Sequence, residues 1–139
     1  QEIWMRGDEE KKTYSVSDLK LKNGLTTSEL GSRGESVVSD YLEKLGHEIL
    51  FRNFKTKQYE IDLVSKHNDQ IYFTEVKYRK NSQYGEPLEF VNQKKHKQME
   101  FAAKAFLHTH AEFSRLIPCL AVASVNGDFV LDEWFLLTE

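Results

Sequence analysis

The chain has 139 residues, 40% of them hydrophobic, which suits one compact domain with an ordinary core and excludes a disordered polymer. Lysine and arginine number 19 against 22 aspartates and glutamates, a formal net charge of -3 at pH 7, which excludes a protein that coats nucleic acid or anionic membrane by bulk charge. One cysteine, Cys119, excludes an internal disulfide, and the longest apolar run, Leu116 to Ala123, is interrupted by Pro118 and too short to span a membrane.

The expected setting is therefore reducing and cytoplasmic, with no membrane partner. No basic segment followed by an apolar one opens the chain, so a secretory leader is not expected, and a first residue of Gln1 instead of Met suggests a fragment or a processed start.

Residues 1–25 carry five acidic and five basic side chains without a sustained period. They read as an N-terminal extension, either a solvated lead-in or an added strand, ahead of a single domain over residues 26–139. A helix is expected from about Thr27 to Leu45, because Thr26 with Glu29 makes a capping box and Gly46 can supply a left-handed stop. Its expected apolar face is Leu30, Gly34, Val37, Val38, Tyr41, Leu42 and Leu45. Gly31 and Gly34 lower helix propensity by about 1 kcal/mol each, so something is expected to approach closely there.

Three strands follow, near His47 to Phe54, Gln58 to Lys66 and Gln70 to Tyr78, rich in Ile, Leu, Val, Phe and Tyr. A second helix from about Gln93 to His108 takes Asn92 as its cap and Met99, Ala103, Phe106 and Leu107 as its apolar side. Arg115 to Val125 and Phe129 to Leu137 are expected as a hairpin turning through Asn126-Gly127, since both residues tolerate positive φ. The order α-β-β-β-α-β-β predicts a mixed α/β fold with a central sheet flanked by helices.

The segment from Gln58 to Tyr78 concentrates the chemistry. Strand alternation puts Glu60 and Asp62 on one face and Ile61 and Leu63 on the other, while Glu75 and Lys77 share a face with Phe73. A hairpin turning about Asn68-Asp69 pairs residues whose numbers sum to 137, setting Asp62 opposite Glu75 and Glu60 opposite Lys77. Two carboxylates so placed repel unless a cation, a proton or a base intervenes. Carboxylate oxygens suit a hard divalent ion such as Mg²⁺, and Lys77 could orient a water or stabilise charge developing on a phosphate. Phosphodiester hydrolysis fits that set; cross-strand ion pairs on a solvated face are the bland alternative.

Acid-x-Lys alone is weak evidence. Glu9-Glu10-Lys11, Glu10-Lys11-Lys12 and Asp18-Leu19-Lys20 match it as well as Glu75-Val76-Lys77 does. What distinguishes the last is an apolar strand, the facing Asp62 thirteen residues earlier, and helices before and after.

Taken together, Leu30-Gly31-Ser32-Arg33-Gly34-Glu35, Ile49-Leu50 with Arg52-Asn53, Glu60-Ile61-Asp62-Leu63, Glu75-Val76-Lys77-Tyr78-Arg79, and Val91 with Lys95 resemble the YraN-type predicted endonuclease family. That family belongs to the restriction-endonuclease-like superfamily with a PD-(D/E)XK site and is also similar to archaeal Holliday-junction resolvases. The resemblance implies a restriction-endonuclease-like core and a metal-dependent endonuclease acting on DNA, with branched or single-stranded DNA among its substrates. It implies Asp62 and Glu75 as ligands of Mg²⁺, with Mn²⁺ able to substitute, the Val76 carbonyl as a further ligand, Lys77 as the catalytic lysine, and Glu35 as an additional acid turned toward the metal. Tyr59 and Ile117-Pro118 depart from the family pattern, which bears on substrate choice more than on chemistry.

Charge is concentrated beside this set. From Lys77 to Lys97 the bases are Lys77, Arg79, Lys80, Lys94, Lys95 and Lys97, against Glu86 and Glu89. Arg79, Lys80, Lys94, Lys95 and Lys97 are the expected nucleic-acid contacts. Cations in the first turn of a helix oppose its dipole, so Lys94 and Lys95 must gain something elsewhere, and phosphate supplies a reason. A homodimer would suit junction cleavage, because two cuts need two sites. A non-catalytic nucleic-acid-binding module and a structural or partner-binding domain are the alternatives.

Overall fold

A computed structural model of the chain describes residues 2–4, 24–79 and 91–137. The elements are β1 (Glu2–Trp4), α1 (Thr27–Lys44), β2 (Glu48–Lys55), β3 (Glu60–His67), β4 (Gln70–Arg79), α2 (Gln93–Thr109), a 3-10 turn (Ala111–Phe113), β5 (Ile117–Asn126) and β6 (Leu131–Leu136). The mixed α/β order expected from the sequence is present, with β1 added in front and compatible with a restriction-endonuclease-like core.

Local signals account for the boundaries. The Thr26 hydroxyl accepts from Glu29 N (3.1 Å) and the Glu29 carboxylate accepts from Thr26 N (2.7 Å), while Gly46 ends α1 at φ +100. Asn92 Oδ1 accepts from Lys95 N (2.9 Å) and opens α2.

The sheet runs β2-β3-β4-β5-β6, antiparallel except for β4 and β5, which are parallel and joined through α2. On one face Leu30, Val38 and Leu42 of α1 pack on Leu63, Val76, Tyr78, Ala123 and Val125. On the other, Ala102, Ala103 and Phe106 of α2 pack on Ile61, Val64, Ile71 and Phe73. All ten residues of β4 pair with β5 on one side. The other side is shared: β3 holds Gln70 to Thr74, and β1 holds Lys77 to Arg79.

Three expectations need correction. The buried face of α1 is turned toward Glu35 and Ser39, leaving Tyr41 36% and Leu45 47% exposed, because buried Gly31 and Gly34 let the first turns approach the sheet. The last hairpin does not turn on Asn126-Gly127 alone. The Asn126 side chain accepts from Asp128 N (2.9 Å) and Val130 N (3.2 Å), and the positive φ falls at Phe129 (φ 58), so residues 127–130 form the loop.

Ile61 and Leu63 do not share a face either. Ile61 joins the α2 core and Leu63 the α1 core. The cause lies in the neighbouring strand, where Asn53 is left-handed (φ 55). Around it Arg52 reaches Ser32 O of α1 (3.0 Å), whereas Phe54 meets the Phe106 ring of α2 (5.2 Å); Ile61, the register partner of Phe54, follows it.

Candidate active site

The register from the Asn68-Asp69 turn is the expected one, from His67↔Gln70 to Leu63↔Thr74, and there the ladder stops. The backbone pairs Asp62–Glu75 and Glu60–Lys77 are therefore not formed, and Lys77 pairs instead with Trp4 of β1 and Ser124 of β5. Glu75 and Val76 lie in the interval between β3 and β1. Across it Asp62 Oδ2 accepts from Val76 N at 2.8 Å. A carboxylate thus takes the place of a ladder carbonyl, and because a strand residue's N–H and C=O point to one side, the Val76 carbonyl is turned to the same interval. Asp62 is 1% exposed, so this charge-assisted bond fixes both its position and the plane of its carboxylate.

Glu75 and Lys77 project from the same face of β4. The Glu75 carboxylate lies 3.2 Å from the Lys95 ammonium, which arrives from the first turn of α2. Lys77 is fully buried. Burial above all, and then the nearby charges of Lys95 and Arg79, lower its pKa to about 6. Its parallel neighbour Ser124 is also buried, and the Ser124 hydroxyl has no hydrogen-bond partner among the described residues.

Glu35 is 2% exposed on α1, 3.9 Å from the Arg52 guanidinium, which also donates to Ser32 O. Arg52 is the register partner of Leu63, so this ion pair sits beside the strand segment that carries Asp62. Glu60 pairs with Lys55 at 3.7 Å across β2 and β3. Between β3, β4 and α2 a shallow open cleft is lined by Glu60, Ile61, Phe73, Glu75 and Met99.

Of the bases expected to contact nucleic acid, Lys94 and Lys97 are exposed on α2, Lys95 is turned onto Glu75, and Arg79 is buried at 2% exposure. Lys80 lies outside the described residues. Sequence reasoning missed the contact of Arg52 with Glu35, and it missed the destination of Lys95. The unfavourable placement of a lysine at a helix N-terminus was the available signal for the latter.

A profile of the uncharacterised protein family UPF0102 matches residues 34–125. The chain belongs to UPF0102. Its relatives include the UPF0102 protein of Cytophaga hutchinsonii, 42% identical over 79 residues, covering 57% of this chain and 70% of that one. The UPF0102 protein of Leptospira interrogans is 38% identical over 96 residues, covering 69% and 83%. That of Syntrophomonas wolfei is 41% identical over 85 residues, covering 61% and 74%. The UPF0102 span contains Glu35, Asp62, Glu75, Lys77 and Lys95, while β1 and β6 lie outside it.

The donor set of this UPF0102 chain fits a hydrated hard cation. Asp62 and Glu75 offer carboxylate oxygens and Val76 a carbonyl, and the ammonium against Glu75 shows that the position takes positive charge. Among the described residues no three His, Cys, Asp or Glu side chains gather into a cage. No helix is long and apolar enough to cross a membrane among the described residues.

Proposed function

We propose that this UPF0102 chain is a metal-dependent endonuclease of the PD-(D/E)XK type that hydrolyses DNA phosphodiester bonds, with branched and single-stranded DNA as the substrates to test first. The observation that carries this reading is the interval in β4. There a buried aspartate replaces the missing strand partner at Val76, and Glu75 and a buried Lys77 flank the same peptide.

Asp62 and Glu75 would hold Mg²⁺ or Mn²⁺ with the Val76 carbonyl. The ion, when bound, supplies Lewis acidity to the scissile phosphate and acidifies a bound water. Asp62 is kept in place by Val76 N–H, so its geometry does not depend on a flexible side chain. Lys77 Nζ, with its pKa lowered to about 6, carries a lone pair at neutral pH and can accept a hydrogen bond from the attacking water. Glu35, paired with Arg52 of β2 next to the strand that bears Asp62, would be the additional acid turned toward the metal. Lys94, Lys97 and Lys80 would meet backbone phosphates, a cytoplasmic setting would supply both DNA and Mg²⁺, and a homodimer would place two sites for paired cuts.

The test is cleavage of linear duplex, single-stranded and four-way-junction DNA in Mg²⁺ and Mn²⁺ by the parent, Asp62→Ala and Lys77→Ala. Cutting by the parent that both substitutions abolish is expected. Activity that survives both would move the site elsewhere, and metal-independent DNA binding without cutting would favour a non-catalytic module.

A further inference from the structure

We infer that Lys95 couples metal binding to substrate binding: its ammonium holds the cation position at Glu75 until a divalent ion displaces it toward a substrate phosphate. The inference rests on the endonuclease reading and adds to it a residue that sets the order and cooperativity of assembly.

The Glu75 side chain is 8% exposed and its oxygen stands 3.2 Å from Lys95 Nζ, whose own side chain is 25% exposed. A carboxylate that far out of water requires a counter-charge, and Lys95 supplies one. A divalent ion on the same oxygen would take over that duty and repel the ammonium. An ammonium and a divalent ion cannot share one buried carboxylate oxygen, and Lys95 is the partner mounted on a flexible stem near the surface.

The displaced ammonium has a second place to go. Asn92 fixes the Lys95 backbone through Lys95 N, so only the side chain moves. The first turn of α2 carries no acidic residue, and Lys94 is exposed beside it. That turn is unfavourable for a lone cation but favourable for a phosphate held between amides and lysines. Phosphate binding therefore draws Lys95 off Glu75 and vacates the metal position, and by linkage the metal strengthens phosphate binding by the same factor.

The test measures Mn²⁺ uptake by electron paramagnetic resonance of the free ion, with and without a short phosphorothioate oligonucleotide whose own uptake is subtracted. The proteins are the parent, Lys95→Met, Lys95→Arg, Lys104→Gln as a surface control, and Asp62→Ala. Lys95→Met is expected to bind Mn²⁺ at least about 5-fold more tightly than the parent without oligonucleotide, and to lose the tightening that oligonucleotide produces in the parent. Lys95→Arg and Lys104→Gln should keep the parent's coupling. Uptake that depends on Asp62 but is equally tight in the parent and Lys95→Met overturns the role of Lys95 and leaves the nuclease reading standing. Absence of Asp62-dependent uptake in the parent overturns the nuclease reading, and this inference with it.

Discussion

The two halves of β4 are equally buried and built on opposite principles. From Gln70 to Thr74 the strand is paired on both sides, and Ile71 and Phe73 are packed under α2. From Glu75 to Arg79 three charged side chains, Glu75, Lys77 and Arg79, occupy the equivalent face at 7%, 0% and 2% exposure. Apolar burial contributes to folding in the first half. In the second, every charge must be desolvated, a cost that the apolar half does not carry.

The largest effect that would sharpen this contrast is on stability. Phe73→Ala should cost about 3–5 kcal/mol in denaturant unfolding, as a core phenylalanine does. A loss under about 1 kcal/mol would show that the first half is not the core it resembles.

Next comes activity. Lys77→Ala or Asp62→Asn should lower cleavage by about 10²–10³-fold, as loss of a transition-state partner does. The parent's Lys77-dependent rate should fall as pH drops through about 6, where Nζ gains its proton. A flat acid limb would assign water activation to another group.

Lys77→Met should do the opposite to stability. The folded pKa lies near 6 against an ordinary 10.5, so between these values the unfolded chain binds more protons and stability rises with pH. The substitution should therefore stabilise most below about pH 6, on the order of 1–4 kcal/mol, and the gain should vanish by about pH 10.5. Thermal melts across that range would check the slope, and a destabilised Lys77→Met would place Lys77 in a bond that the apolar isostere cannot replace. The smallest effect is at Ser124. Removing its buried hydroxyl as Ser124→Ala should leave stability unchanged or raise it by about 0.5–1 kcal/mol, and a larger loss in the same melts would reveal a partner for it.

Much of this was legible beforehand, and the reason differs by element. The capping box of α1, the Asn92 cap and the Asn68-Asp69 turn are read from neighbours within a few residues, and each is present. The pairing sum of 137 followed from that turn alone, so the approach of Asp62 to the Glu75-Val76 peptide could be anticipated although its form could not. The β3–β4 ladder ends after Leu63↔Thr74, and nothing local to Asp62 records it. Arg52 could not be assigned to Glu35 for the same reason, since helix and strand meet only after the sheet is formed.

The sequence by itself determined the order of elements and the register of the hairpin that turns at Asn68-Asp69, because these depend on periodicity and turn residues. Tertiary structure alone decided that β1 shares the β4 edge with β3, that the intervening peptide is held by Asp62, that Arg79 is buried, and that Lys95 serves Glu75. Those outcomes turn on desolvation and on charges brought together across long separations in the chain, and neither exists until the sheet and both helices have closed around them.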